Sequence, residues 1–346
     1  MRHEEAETEP ASDSGHDIVV IGASAGGVEA LERLVRSLPP DLPAAVFVVL
    51  HVLSSGTSVM PHILARAKTL PASHAVDGEH FEHGRVYVAP PDRHLLVERG
   101  RIHLWSGPKE NGHRPAIDPL FRSAARAYES RVVGVVLSGV LDDGSAGLLR
   151  VKMHGGATIV QDPDDALYPA MPQNAIEHVR PDLVLPLSEI GAALAELARR
   201  SAAEKSVRFA PREPFVGNPG SLDPQPGDPS GFTCPECGGA LWESEEVNML
   251  RFRCRVGHQF SADSLRSEQS EGVDAALWSG LRALEERVAL NRRLEQRMAA
   301  QGREATASRF ERRAQESERN AAVLRDLLQN LESFRAVDER AGAAES

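Results

Sequence analysis

Ser24 stands where a serine can act as a nucleophile. The apolar run Ile18-Val19-Val20-Ile21 leads into Gly22-Ala23-Ser24-Ala25-Gly26-Gly27, and a helical pattern follows. Small residues on both sides permit a sharp strand-to-helix turn that leaves Oγ exposed and aims the next backbone N–H groups at whatever it attacks. A dinucleotide-binding loop would instead use Gly-x-Gly-x-x-Gly, with an acidic ribose ligand after the next strand. Here the middle glycine is Ser24, and the next apolar run, Ala45 to Leu50, ends in His51. A serine that merely caps the following helix is the remaining alternative.

In an open parallel sheet, the loops at the carboxyl ends of the strands form the ligand crevice, so Ser24 and His51 can converge although they are far apart in sequence. The imidazole could then take the serine proton and return it to the leaving group. A third strand, Val132 to Leu137, feeds the glycine-rich turn Gly139-Val140-Leu141-Asp142-Asp143-Gly144, which carries two acids. Either could orient the histidine, and either could simply cap the next helix. Position alone does not choose between them.

A second constellation lies downstream. Cys234-x2-Cys237 and Cys254-x3-His258 are separated by sixteen residues and contain all three cysteines of the chain. Two knuckles presenting three thiolates and one imidazole suit tetrahedral Zn²⁺, and four protein ligands leave no open position, so the expected metal is structural. Three cysteines are an odd number for a disulfide framework, and they fit a reducing, cytoplasmic setting.

Strands are expected at Ile18–Ile21, Ala45–Leu50, Val86–Ala89, Val132–Leu137, Thr158–Val160 and Leu183–Leu185, with helices including Val28–Ser37, Pro119–Tyr128, Ala146–His154 and Glu189–Arg199. This predicts an α/β fold, a doubly wound, mostly parallel sheet with helices on both faces. His94 to Trp105 reads as an inserted β-hairpin. A Pro/Gly-rich linker is expected over 201–231, a zinc ribbon over 232–262 and a helical hairpin over 272–335. Two apolar stripes, Leu277-Leu281-Leu284-Val288 and Phe310-Ala314-Ser317-Ala321-Leu324-Leu328-Leu331, broken around Gln301-Gly302, suggest the hairpin, and a single frayed amphipathic helix packed on its own protein is the other reading; the second stripe has coiled-coil spacing and offers a surface for self-association. Residues 1–16 and 336–346 are expected to be disordered, and residues 17–200 to form the hydrolase domain.

A formal net charge of -11 disfavours nucleic acid and anionic lipid as partners, because such binding rests on clustered Lys and Arg. Neither a signal peptide nor a membrane anchor is expected at the acidic start.

Four further stretches extend the pattern around Ser24: Tyr87-Val88-Ala89-Pro90-Pro91-Asp92-Arg93-His94, His113-Arg114-Pro115-Ala116-Ile117-Asp118, the Asp143-Gly144 loop and Met171-Pro172-Gln173-Asn174-Ala175. With them, residues 17 to about 200 resemble the catalytic domain of CheB, the chemotaxis protein-glutamate methylesterase. The resemblance implies Ser24 as nucleophile, His51 as base, Asp143 as orienting carboxylate, and the backbone N–H groups of Ala25 and Val140 as oxyanion hole, with no cofactor for catalysis. It implies demethylation of glutamate methyl esters on the cytoplasmic helices of chemoreceptors, with glutamine deamidation as a related reaction. The family commonly has Ser-Thr where this chain has Ser24-Ala25, Met-Pro where it has Val52-Leu53, and Gly-Met-Gly where it has Gly139-Val140-Leu141. A phosphorylatable receiver domain usually precedes the catalytic domain; with sixteen residues there, phosphorylation control of that kind is expected to be absent. Two other functions stay open at this point: a noncatalytic scaffold that recruits partners through ribbon and helices, and an esterase for another substrate.

Overall fold

A computed structural model describes residues 16–51, 58–200, 227–246 and 249–342. The expected disordered N-terminus up to residue 15, the linker up to residue 226 and the last four residues lie outside the described residues, as does Val52-Leu53. The chain divides into two compact units between Leu265 and Arg266.

In the first unit the elements run β1 (Ile18–Ala23), α1 (Gly27–Ser37), β2 (Ala45–Leu50), α2 (Met60–Ala65), β3 (Ala72–His74), β4 (Val86–Val88), β5 (His94–Glu98), β6 (Arg101–Trp105), α3 (Ile117–Tyr128), β7 (Val132–Val136), α4 (Ser145–Met153), β8 (Ala157–Gln161), α5 (Ala170–Val179), β9 (Leu183–Leu185) and α6 (Leu187–Arg199). Seven of the strands form one sheet in the order β3-β4-β2-β1-β7-β8-β9, with every pairing parallel. Side chains alternate along β1: Val19, Ile21 and Ala23 join the core under α1 and α6, while Ile18 and Val20 join the core under α3 and α4. Burial on both faces is why β1, β2 and β7 read as unbroken apolar runs rather than alternating ones. From β1 the chain winds outward to β2 and β4, then crosses back to β7 on the other side. The switch point therefore falls between β1 and β7, where a crevice must open at the strands' carboxyl ends. The hairpin β5–β6 sits apart from this sheet, with Arg99-Gly100 at its turn and Gly100 at φ +74°.

The four strands β10 (Asp228–Thr233), β11 (Ala240–Glu246), β12 (Met249–Cys254) and β13 (Gln259–Ser261) form an antiparallel ribbon around Cys234, Leu241, Phe252, Cys254, Phe260 and Leu265. Helix α7 (Ala262–Ala300) follows β13 without a break, so helix begins at Ala262 rather than at 272. Its polar first turns carry no apolar stripe that periodicity could detect.

In the second unit α7 turns at Gly302, φ +70°, into α8 (Glu304–Gly342), which extends into the segment expected to be a tail. Leu281 packs with Ala321 and Leu328, flanked by Leu277, Leu284 and Leu324, and Ala314 and Ser317 are also buried. The ion pairs Arg292–Glu318 and Arg325–Glu285 cross between the helices. Among the described residues, no helix is long and apolar enough to cross a membrane.

Candidate active site

Ser24 follows β1 directly, and the turn is made possible by Gly26 at φ +71°, a conformation few side-chain-bearing residues adopt. The Gly27 N–H donates to the Ser24 carbonyl at 2.9 Å, which closes the turn and starts α1. His51 is the first residue after β2, and its N–H donates to the Ala23 carbonyl, which registers it beside the serine turn. Asp143 lies after β7, on the far side of β1.

The three side chains meet at the switch point. His51 Nδ1 is 3.1 Å from Ser24 Oγ, and His51 Nε2 is 2.7 Å from Asp143 Oδ2. With the carboxylate accepting from Nε2–H, Nδ1 is the free acceptor and the Ser24 hydroxyl donates to it. The imidazole side chain is 6% exposed and the Asp143 side chain 2%, so this relay is shielded from competing water.

Asp143 also accepts from the backbone N–H of Ile117 at 2.7 Å, of Gly144 at 3.0 Å and of Asp118 at 3.3 Å, and from Asn111 Nδ2 at 2.9 Å. Burial by itself would raise its pKa. The hydrogen bond and charge of His51, with the Ile117 N–H, outweigh burial and hold the carboxyl well below the usual range. His113 stacks on His51 with ring centroids 3.7 Å apart; burial, then the neighbouring imidazole, lowers its pKa to about 4, so it packs against His51 as a neutral ring.

On the other flank, Ser24 N–H donates to the Ser138 carbonyl, Ser138 Oγ donates to the Ala25 carbonyl and accepts from Tyr168 N–H, and Gly139 N–H donates to the Tyr168 carbonyl. Among the described residues the N–H groups of Ala25 and Val140 engage no acceptor. A Cβ on Gly139 would lie 2.9 Å from Ser24 Cβ and 2.7 Å from Met171 Cε, so this loop approaches the serine as only glycine can. Met171 is fully buried against it, and Arg114 pairs with Asp92 and the Gly107 carbonyl.

Asp142 points elsewhere: its Oδ1 accepts from Ser261 Oγ at 2.7 Å and Ser264 Oγ at 3.1 Å. Sequence reasoning left unassigned the two residues that buttress Asp143, namely Asn111 and Asp118. Asp118 Oδ1 accepts from Gly144 N–H at 3.1 Å and Gly147 N–H at 2.7 Å, pinning the Asp143 loop to α3. Asp118 closes the His113 to Asp118 stretch, and Asn111 stands two residues before that stretch.

Cys234, Cys237, Cys254 and His258 gather so that their ligand atoms all lie within 4.8 Å of one another. Cys237 Sγ and Cys254 Sγ are 3.7 Å apart, Cys234 Sγ and His258 Nδ1 3.7 Å, and Cys254 Sγ and His258 Nδ1 3.4 Å. A tetrahedral ion with bonds of about 2.0–2.3 Å sets ligand–ligand edges of roughly 3.3–3.8 Å, a range that these three distances match, and the cluster could bind a metal of that kind. The backbone bonds Gly238 N–H to Cys234 O and Gly257 N–H to Cys254 O shape the two knuckles.

An open parallel α/β sheet with a Ser–His–Asp relay at its switch point defines a class of fold and site. Within that class, the chain belongs to the CheB methylesterase family, which it matches over residues 19–194. It is 40% identical over 196 residues to protein-glutamate methylesterase/protein-glutamine glutaminase 2 of Anaeromyxobacter dehalogenans, covering 57% of this chain and 58% of that one. A relative from Leptospira interrogans is 37% identical over 176 residues, 51% of this chain and 91% of its own. The crystal structure of the Thermotoga maritima CheB methylesterase catalytic domain aligns with a TM-score of 0.50 at 36% identity, covering 52% of this chain and 98% of that domain. The chain thus spans 58% of the length of the Anaeromyxobacter relative and nearly all of the Leptospira one.

Proposed function

We propose that this protein is a protein-glutamate methylesterase in which Ser24 is the nucleophile, His51 the base and Asp143 the orienting carboxylate. The observation that carries this reading is the continuous hydrogen-bonded path from Ser24 Oγ through His51 to Asp143. Ser24 Oγ attacks the side-chain carbonyl carbon of a methylated glutamate while His51 Nδ1 takes its proton. The oxyanion that forms is met by the N–H groups of Ala25 and Val140, each donor worth about 3 kcal/mol at such a position. Collapse expels the methoxy group, which leaves as methanol with the proton from His51. Water, deprotonated by the same imidazole, then hydrolyses the glutamyl–serine ester and restores Ser24. With glutamine the same sequence of steps expels ammonia, and the name of the Anaeromyxobacter relative pairs the two activities.

A protein rather than a small-molecule substrate suits the rim of the site. Val140, Leu167 and Tyr168, on the loops beside the serine turn, are exposed apolar side chains. Such a rim suits an amphipathic helix, the form of the chemoreceptor segments that the family resemblance implies, and a cytoplasmic location goes with it. We further infer that Cys234, Cys237, Cys254 and His258 hold one zinc ion, which supplies folding free energy to a ribbon with a small apolar core. A fluorophosphonate probe tests the nucleophile. Mass spectrometry should find one adduct per chain, on Ser24, and an adduct on another serine would overturn the assignment.

A further inference from the structure

The ribbon is bound to the back of the active site through buried polar contacts. Arg251, on β12, is 7% exposed and donates from Nη2 to Oδ2 of the fully buried Asp118. Ser261, on β13, donates its N–H to Asn111 Oδ1 at 3.0 Å, and Asn111 N–H donates to the Gln259 carbonyl at 2.8 Å. Asp142 receives the two ribbon-side hydroxyls of Ser261 and Ser264, and Lys109 pairs with Glu236 at 2.7 Å.

Asn111 is the hub of this arrangement. Its carbonyl oxygen is occupied by the ribbon, which forces its amide nitrogen toward the acids, where it donates to Asp143 Oδ1 at 2.9 Å and Asp118 Oδ2 at 3.3 Å. An amide has one acceptor atom and one donor atom, so fixing one end fixes the other. Asn111 also holds φ +51°, which an asparagine tolerates better than most residues. Two carboxylates buried side by side need a cation nearby, and among the described residues the arginines Arg251 and Arg122 face them; Arg122 also donates to both oxygens of Glu110 at 2.8 Å.

We propose that the ribbon is a positioning element of the active site, in which Arg251 and the Ser261 N–H hold Asp118 and Asn111 so that Asp143 stays oriented toward His51. The catalytic part of this inference rests on the esterase reading above; the structural coupling does not. Burial, then the Asp143 charge, raises the Asp118 pKa, while Arg251, Arg122 and the Gly147 N–H oppose the rise. Asp143 itself faces His51, His113 and Asp118. Without Arg251, Asp118 takes a proton at higher pH. A proton on Oδ2 turns that atom from acceptor to donor and displaces the Asn111 amide.

The test uses the full chain with Arg251→Met and Arg251→Lys. On a small ester, Arg251→Met should lower kcat about tenfold or more with KM nearly unchanged, since a misplacement of about 1 Å can cost about a hundredfold. The acidic limb of its kcat–pH profile should move to higher pH, and Arg251→Lys should restore most of both. Independently of turnover, hydrogen exchange at the amides of Ile117, Asp118 and Gly144 should quicken in Arg251→Met while β1 stays protected. Unchanged exchange at those amides together with unchanged kcat and pH profile in a folded variant would overturn the proposal. Should Arg251→Met not fold, Asn111→Ala gives the same comparison, and full activity there would overturn it equally. If the wild type hydrolyses no ester, the function assigned above fails, whereas the exchange result still decides whether the ribbon holds the acid loop.

Discussion

Replacing Asp143 by Asn is the sharpest perturbation of the relay, because it changes two hydrogens and one charge while keeping the shape. In the native site both carboxylate oxygens only accept. Oδ2 receives His51 Nε2–H and Ile117 N–H, and Oδ1 receives Asn111 Nδ2 and the N–H groups of Gly144 and Asp118. The new amide must put its NH₂ on one side. Placed at Oδ1 it would face three donors; placed at Oδ2 it faces the Ile117 N–H and a histidine that can change tautomer. The second orientation therefore wins. His51 must then accept at Nε2 and carry its proton on Nδ1, against Ser24 Oγ, where a base is needed. Loss of the correct tautomer in a serine–histidine–aspartate site costs about 10⁴ in kcat, or about 5.5 kcal/mol at about 1.36 kcal/mol per decade. The unpaired Ile117 N–H should also cost about 1–3 kcal/mol of stability. Steady-state hydrolysis of a small ester, with circular dichroism to verify the fold, measures both. A folded Asp143→Asn protein that keeps more than a tenth of wild-type kcat would refute the tautomer reasoning.

Three further outcomes are expected. His113 is neutral in the folded protein until about pH 4, whereas its ordinary value is 6.5; the unfolded chain therefore binds the extra proton first, and stability falls as pH drops from 6.5 towards 4, by about 3 kcal/mol in total. Denaturant titrations of His113→Phe should lack that share of the acid loss, and an identical slope in both proteins would contradict it. Gly139→Ala should lower kcat at least about tenfold, because the Met171 thioether can yield to the new methyl but Ser24 Cβ cannot; unimpaired turnover would contradict the close approach. Metal analysis should find one zinc per chain in the wild type and a lower content in Cys254→Ser, and full occupancy in the variant would contradict the ligand set.

Much of this site is legible in the residues, because the features that position it are local. Unbroken apolar runs mark β1, β2 and β7 as doubly buried strands, and parallel strands put their following loops on one edge. Ser24, His51 and the acidic turn were thereby placed in one crevice. The choice between Asp142 and Asp143 was not legible from position, since it depends on which carboxylate faces the sheet switch point and which faces Ser261 and Ser264. Nor was the role of Asn111, whose partner Ser261 lies 150 positions away. Elements with weak patterns were also overlooked: β3 is a three-residue strand of half-buried Ala72-Ser73-His74, and α5 begins at Ala170-Met171-Pro172, residues that match a family motif without announcing a helix. The run of prolines and glycines before the ribbon signals a tether, but composition carries no information on where a tethered module comes to rest.

Methanol release from a methylated chemoreceptor tests the central claim most directly. The wild-type chain should release methanol over many turnovers and leave free glutamate side chains. Ser24→Ala, which removes the attacking oxygen and little volume, should fall by about a millionfold, to the limit of detection. Equal release by the two proteins would remove Ser24 from the mechanism, and no release by a folded wild type that still hydrolyses small esters would assign the site to a different ester.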